Sequence, residues 1–286
     1  MAKVKMTRKS EFLGIRGAAT GNRRPRLTHR DQMILSLLGE YGCVTADRIK
    51  AHFWKSSHKS RAHYRRLAVL RRRKLIENVL GDRSMTIGYR LTKIGKRMLA
   101  DLTENQNAPV IRRAYKTQFE HDQLLIDLRQ IFQASPLVKE FKTESELRRE
   151  FLRDRLMPIN WESRPTIPDA TFVFEVPGRS MRVAVELELT AKLKKRYARI
   201  FKNHLLSKDW KLVIYIVKDA SFQGRLMKTL FEVKDRDVQV RLAKTVNGIY
   251  FCDLENFLSN RLAVTLTNGK REISLEQIAQ NLGIKA

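Results

Sequence analysis

The chain has 286 residues and carries 57 Lys and Arg against 30 Asp and Glu, a formal net charge of +27. Hydrophobic content of 43% is ordinary for a globular protein, and no apolar run approaches the ~18 residues of a membrane span. Cys43 and Cys252 are the only cysteines, which excludes a disulfide framework and a cysteine-built zinc site.

So large a basic excess points to a polyanionic partner, because each neutralised phosphate releases condensed counterions. An anionic membrane surface is the competing partner, but no long basic amphipathic helix stands out. The cysteine usage and the lack of a secretory core after Met1 predict a cytoplasmic protein. Residues 1–26, basic and poor in acids, read as a flexible DNA-seeking arm, with a transit peptide as the alternative.

In THRDQMILSLLGEY, Thr28 and Asp31 have the spacing of a capping box. Met33, Ile34, Leu37 and Leu38 then recur at helical spacing, and Gly42 ends the run. Thr45 opens a second short helix through Phe53, with Ile49 and Phe53 inward. A third helix is predicted from about Ser57 to Leu75, with Tyr64, Leu67, Ala68 and Leu70 as its apolar side. Lys55, Lys59, Arg61, Arg65, Arg66, Arg71, Arg72, Arg73 and Lys74 lie in or beside it, with no acidic residue between. IENVL, a GDRS turn and TIGYRLT read as a hairpin, and KIGKRMLADL as a closing helix. This order predicts a winged helix-turn-helix over residues 27–102, its third helix in the major groove of double-stranded DNA. Arg61 and Arg65 are the candidates for base edges; Lys59, Arg66, Arg71, Arg72 and Arg73 are candidates for DNA contact more generally, the late arginines for phosphate. A solvated helix face is the bland alternative, although such faces usually mix signs.

Residues 103–112, polar and with Pro109, read as a linker. Beyond them, 113–286 change grammar. QFEHDQLLIDLRQIFQ sets Leu124, Leu125, Leu128, Ile131 and Phe132 on one helical face, and FVFEV, RVAVELEL, KLVIYIV and VQVRLA read as strands. AKLKKRYARIFKNHLL between the second and third reads as a helix. Helix, antiparallel hairpin, helix, strand predicts an α+β or α/β second domain with a mixed central sheet.

A turn at Gly178-Arg179 would set Asp169 opposite Glu188. Side chains alternate along a strand, so Asp169, Glu186 and Glu188 share one face and Val183, Val185, Leu187 and Leu189 take the buried one. Three crowded carboxylates repel unless a cation or protons intervene. Hard oxygen ligands suit Mg2+ or Mn2+; Lys192 could meet a phosphate oxygen. Metal, carboxylates and a lysine are equipment for phosphodiester hydrolysis. The alternative is that the acids are the wet side of a half-buried strand. A lysine filling the gap as a plain salt bridge would leave only a DNA-gripping protein.

Pro168-Asp169, then Glu186-Leu187-Glu188 on the next strand, then a helix, resembles the PD-(D/E)xK restriction-endonuclease-like fold. Glu188 stands at that fold's usual lysine position, which leaves open whether Lys192 takes over. The order of winged helix, QFEHDQLLIDL, IPDATFVFEV and VELELTAKLKKRYARIFKNHL is similar to the plasmid replication-relaxation family and to mobilisation relaxases of the MOB_C type. The resemblance covers about residues 27–220. It implies a bacterial cytoplasmic, metal-dependent nicking endonuclease at a plasmid origin of transfer or replication, working with other mobilisation or replication proteins. It also implies Glu120 as a further acidic ligand and catalytic residue, and Lys194, Lys195 and Arg196 as phosphate clamps. A first-turn Glu and a solvated helix face are the bland readings of these. The rival function is a non-catalytic replication initiator or regulator that uses the second domain as a scaffold. The tail from Ser221, with a capped helix at Ser274, would complete that domain or form a homodimer interface.

Overall fold

The structure is a computed structural model that describes residues 27–54, 61–81, 84–103, 116–154, 166–176, 179–233 and 248–278. Helices α1 (His29–Tyr41), α2 (Ala46–Phe53) and α3 (Ala62–Arg72) are followed by the antiparallel strands β1 (Ile76–Leu80) and β2 (Thr86–Leu91) and by α4 (Lys93–Thr103). The α1 start is a complete capping box: Thr28 Oγ1 accepts from the Asp31 N–H, and Asp31 Oδ2 accepts from the Thr28 N–H at 2.7 Å. Gly42 closes the helix at φ 75°, a left-handed conformation that glycine adopts without a Cβ penalty. Ile34, Leu35, Leu37 and Leu38 are buried, whereas Met33 is exposed, a correction to its expected place in the core. Gly95 lets α4 lie against the end of the α3–β1 connection, because a Cβ there would fall 1.9 Å from the Leu75 carbonyl oxygen.

On α3 the buried residues are His63, Leu67 and Leu70, and Tyr64 and Ala68 are exposed. This corrects the expected apolar side. His63 takes the inward position, its ring packed between Trp54 and Tyr64 at centroid distances of 6.1 and 4.1 Å.

The second half begins with α5 (Lys116–Gln133) and builds one seven-stranded mixed sheet in the sequential order β3 (Val138–Thr143), β4 (Ala170–Val176), β5 (Arg179–Glu188), β6 (Leu212–Val217), β7 (Ile249–Asp253), β8 (Thr265–Thr267) and β9 (Glu272–Ser274). The first three strands are an antiparallel meander, β5, β6 and β7 run parallel, and the last two return antiparallel. Helices α6 (Glu144–Asp154), α7 (Lys194–Leu206), α8 (Ala220–Phe231) and α9 (Leu254–Asn260) complete it. The expected strand VQVRLA lies outside the described residues. Ser274 does cap a helical turn, accepting from the Gln277 N–H while Gln277 Oε1 accepts from its own.

Both sheet faces are covered. Val183, Val185, Leu187, Ile214 and Ile216 pack with Leu128 and Phe132 of α5 and Phe257 of α9, while Ala184, Val213, Tyr215 and Val217 pack with Tyr197 and Phe201 of α7 and Phe222 of α8. That is the reason LVIYIV is apolar at every position: a parallel strand under helices has no wet side.

The two halves share a contiguous core and a polar seam. The Gln123 side chain on α5 donates to the Cys43 carbonyl at 2.7 Å and accepts from the Thr45 N–H at 3.1 Å. Arg48 forms a two-pronged pair with Asp127, and Arg129 one with Glu40 at 2.7 Å. The expected linker 103–112 lies, after Thr103, outside the described residues. Among the described residues no helix is long and apolar enough to cross a membrane.

Candidate nucleic-acid interface and carboxylate cluster

Helix α3 divides cleanly by angle. His63, Leu67 and Leu70 define its inner side, and Arg61, Arg65, Ala68 and Arg72 recur at helical spacing directly opposite, all exposed. Arg71 and Tyr64 lie on one flank, beside Tyr89 of β2. None of Arg61, Arg65, Arg71 and Arg72 is in an ion pair among the described residues. Arg66, on the other flank, is differently placed. Its Nε and a terminal nitrogen both bond the Asp31 carboxylate, whose side chain is fully buried. Burial would raise the Asp31 pKa, but the Arg66 and Thr28 hydrogen bonds hold it below the ordinary value. Arg66 therefore locks α3 to α1, whereas Arg61, Arg65, Arg71 and Arg72 are exposed and outside any ion pair among the described residues. Lys59 lies outside the described residues.

The acidic cluster forms where β4 begins and β5 ends. The β4–β5 register pairs Val176 with Arg179 and Ala170 with Val185, two residues away from the expected register that set Asp169 opposite Glu188. An even displacement preserves the faces, so Glu186 and Glu188 still point together. Their surroundings differ from expectation. Glu186 is 8% and Glu188 3% exposed, because α7 covers this end of the sheet. Neither a wet strand face nor an open carboxylate array describes them.

Each acid has its own partner. Tyr197 and His204, two turns apart on α7, reach down to the strand: the Tyr197 hydroxyl donates to Glu188 Oε2 at 3.1 Å, and His204 Nε2 meets Glu186 Oε1 at 2.8 Å. Lys192 Nζ bonds the other Glu188 oxygen. Asp169 Oδ2 accepts from the Leu187 N–H at 2.8 Å and lies 3.2 Å from His121 Nε2 of α5. Glu120 is exposed, so the α5 side chain that reaches the cluster is its neighbour His121.

Burial pushes the Glu186 carboxyl well above the ordinary range, with the charges of Asp169 and Glu188 adding to it, and burial drives the His204 imidazole down to about 3. Both shifts favour the uncharged form of each partner. Burial also raises Glu188, against the opposing pull of the Lys192 ammonium. Burial would lower His121, but the Asp122 and Asp169 carboxylates prevail and raise it to about 10. The same imidazolium and the Leu187 N–H keep Asp169 below its usual value despite burial.

No family model, curated protein or solved structure matches this chain.

The carboxylate oxygens have the chemistry of a Mg2+ or Mn2+ site, but their arrangement does not fit one as it stands. Among the described residues no three His, Cys, Asp or Glu converge on a common point. Lys192 takes the cation's part instead, its charge acting on Asp169, Glu186 and Glu188 alike. Of the basic residues beyond it, Lys194 pairs with Glu232, while Lys195 and Arg196 are exposed. Glu146 accepts from the Thr143 N–H at 2.8 Å and so caps α6, and Glu144 pairs with Arg148 at 2.5 Å.

Sequence reasoning missed His121, Tyr197 and His204 as partners of the acids. The signal for the last two was their spacing on a helix following an acidic strand. For His121 it was a titratable side chain beside the apolar face of α5.

Proposed function

We propose that this chain is a sequence-specific double-stranded DNA-binding protein of the winged-helix class, with α3 as its recognition helix. The observation that carries the reading is the outer line of α3: exposed arginines without an ion-paired acid, on a helix held at one flank by the Asp31–Arg66 pair. A solvated face would mix signs; this one offers only donors, to guanine edges and phosphates. The resemblance to plasmid replication-relaxation proteins makes plasmid origin DNA the natural probe. Fluorescence anisotropy on such duplexes tests the reading. Arg61→Ala, Arg65→Ala and Arg72→Ala combined should reduce the log–log salt slope by roughly 0.9 for each phosphate no longer neutralised. Equal binding and an unchanged slope would reject α3 as the interface.

Divalent-metal-dependent strand nicking, the other expectation, is the less favoured reading, because a lysine salt bridge already balances Asp169, Glu186 and Glu188. For it to hold, Lys192 must leave Glu188. Supercoiled plasmid incubated with Mg2+ or Mn2+ tests this. Relaxed circles that vanish in Asp169→Ala, while binding persists, support nicking. Intact supercoils with wild type on the DNA it binds leave the second domain as a scaffold.

A further inference from the structure

The outer line of α3 is not uniformly charged. Between Arg65 and Arg72 it is broken by Ala68, and one turn before Ala68, on the flank beside the hairpin, stands Tyr64, 48% exposed. Neither packs into the core, whose inner α3 positions are filled by His63, Leu67 and Leu70. A methyl and an aromatic ring therefore sit side by side, in water, among arginines. A second copy of the chain is a poor occupant for this patch, since two such faces would bring unpaired arginines against arginines.

The floor of the DNA major groove offers one apolar group, the C5-methyl of thymine, and small or aromatic side chains are what meet it. Resting on the DNA-binding reading above, we propose that Ala68 and Tyr64 form a methyl-reading patch, which requires a thymine at a fixed position in the target, next to a base pair contacted by Arg65. Ala68 also sets the depth of insertion, because any longer side chain there would hold the helix off the bases.

Uracil pairs as thymine does but lacks the methyl, so replacing thymines one at a time isolates the contact. A target is first selected from a random duplex library with the full chain, and affinities are then measured for each thymine-to-uracil duplex. At one or two positions wild type should bind the uracil duplex roughly fourfold more weakly, the effect of one methyl returned to water. In Ala68→Gly the thymine-to-uracil affinity ratio at those positions should fall to about one, as it should in Tyr64→Ser at the flanking position. The ratio is internal to each variant, so a loss of folded fraction does not disturb it. Wild type that tolerates uracil everywhere on a target it binds overturns the methyl patch and leaves DNA binding intact. Failure to select any target, with no binding to plasmid duplexes, overturns both.

Discussion

Removing Arg66 should damage the fold, whereas removing Arg72, six residues along the same helix, should damage only binding. Asp31 is fully buried and receives two guanidinium hydrogen bonds from Arg66 beside those from Thr28. In Arg66→Ala the carboxylate keeps its Thr28 bonds but loses its counter-charge. Breaking a buried pair from one side costs about 3–5 kcal/mol. Because the Arg66 side chain is 23% exposed, water can partly replace it, and we expect about 2–3 kcal/mol. Arg72→Ala, exposed and unpaired, should stay within about 0.5 kcal/mol. Urea unfolding followed by tryptophan fluorescence reads this directly, since Trp54 lies in the same unit under Arg30. The Asp31 pKa is lowered on folding, so the pair's contribution is whole above about pH 4 and is lost as pH falls through the lowered value. The gap between wild type and Arg66→Ala should therefore narrow in acid. Equal unfolding midpoints for the two variants at pH 7 would refute the division of α3 into a locking and a reading flank.

Other consequences are as direct. Glu186→Gln should raise the thermal midpoint at pH 8 and leave it nearly unchanged at pH 5. The raised carboxyl contributes stability that is present below pH 4.5 and lost as pH rises towards its folded value, a loss that glutamine does not suffer; an equal effect at both pH values would count against a neutral Glu186–His204 pair. The His121 contribution is complete below about pH 6.5 and lost as pH rises through about 10. Wild type should thus lose its advantage over His121→Gln across that window, in a series of thermal melts. Gly95→Ala drives a methyl into the Leu75 carbonyl and should cost more than about 2 kcal/mol by forcing α4 away, seen as a lower urea midpoint. Phe132→Ala, in the aromatic cluster with Phe172 and Phe257, should cost about 3–5 kcal/mol.

What could be read from the chain was local. Thr28, Asp31 and Gly42 mark the limits of α1 because capping and left-handed backbone depend only on near neighbours. The β4–β5 faces were legible because alternation survives an even slip in register. The surroundings of the acids were not. ELE alternates just as a half-wet strand does, and only the helix folding over it, with Tyr197 and His204 pointing down, turns that face inward. The neighbouring LVIYIV held the clue, since a strand apolar throughout implies helices on both faces. On α3, Tyr64 and Ala68 were assigned inward by hydrophobicity alone. A histidine took the place instead, because the ring of Trp54 lies there to receive it. Strand β3 went unseen; its burial is irregular, with a break in pairing between Lys139 and Lys142.

The proposed insertion of α3 into the major groove is tested most directly by dimethyl sulfate probing of the bound duplex, which reports guanine N7 in the major groove and adenine N3 in the minor. Wild type should protect guanine N7, and Arg65→Ala should lose that protection at one guanine while the rest of the footprint stays. Protection confined to adenine N3, or a guanine pattern indifferent to Arg65, would contradict the account.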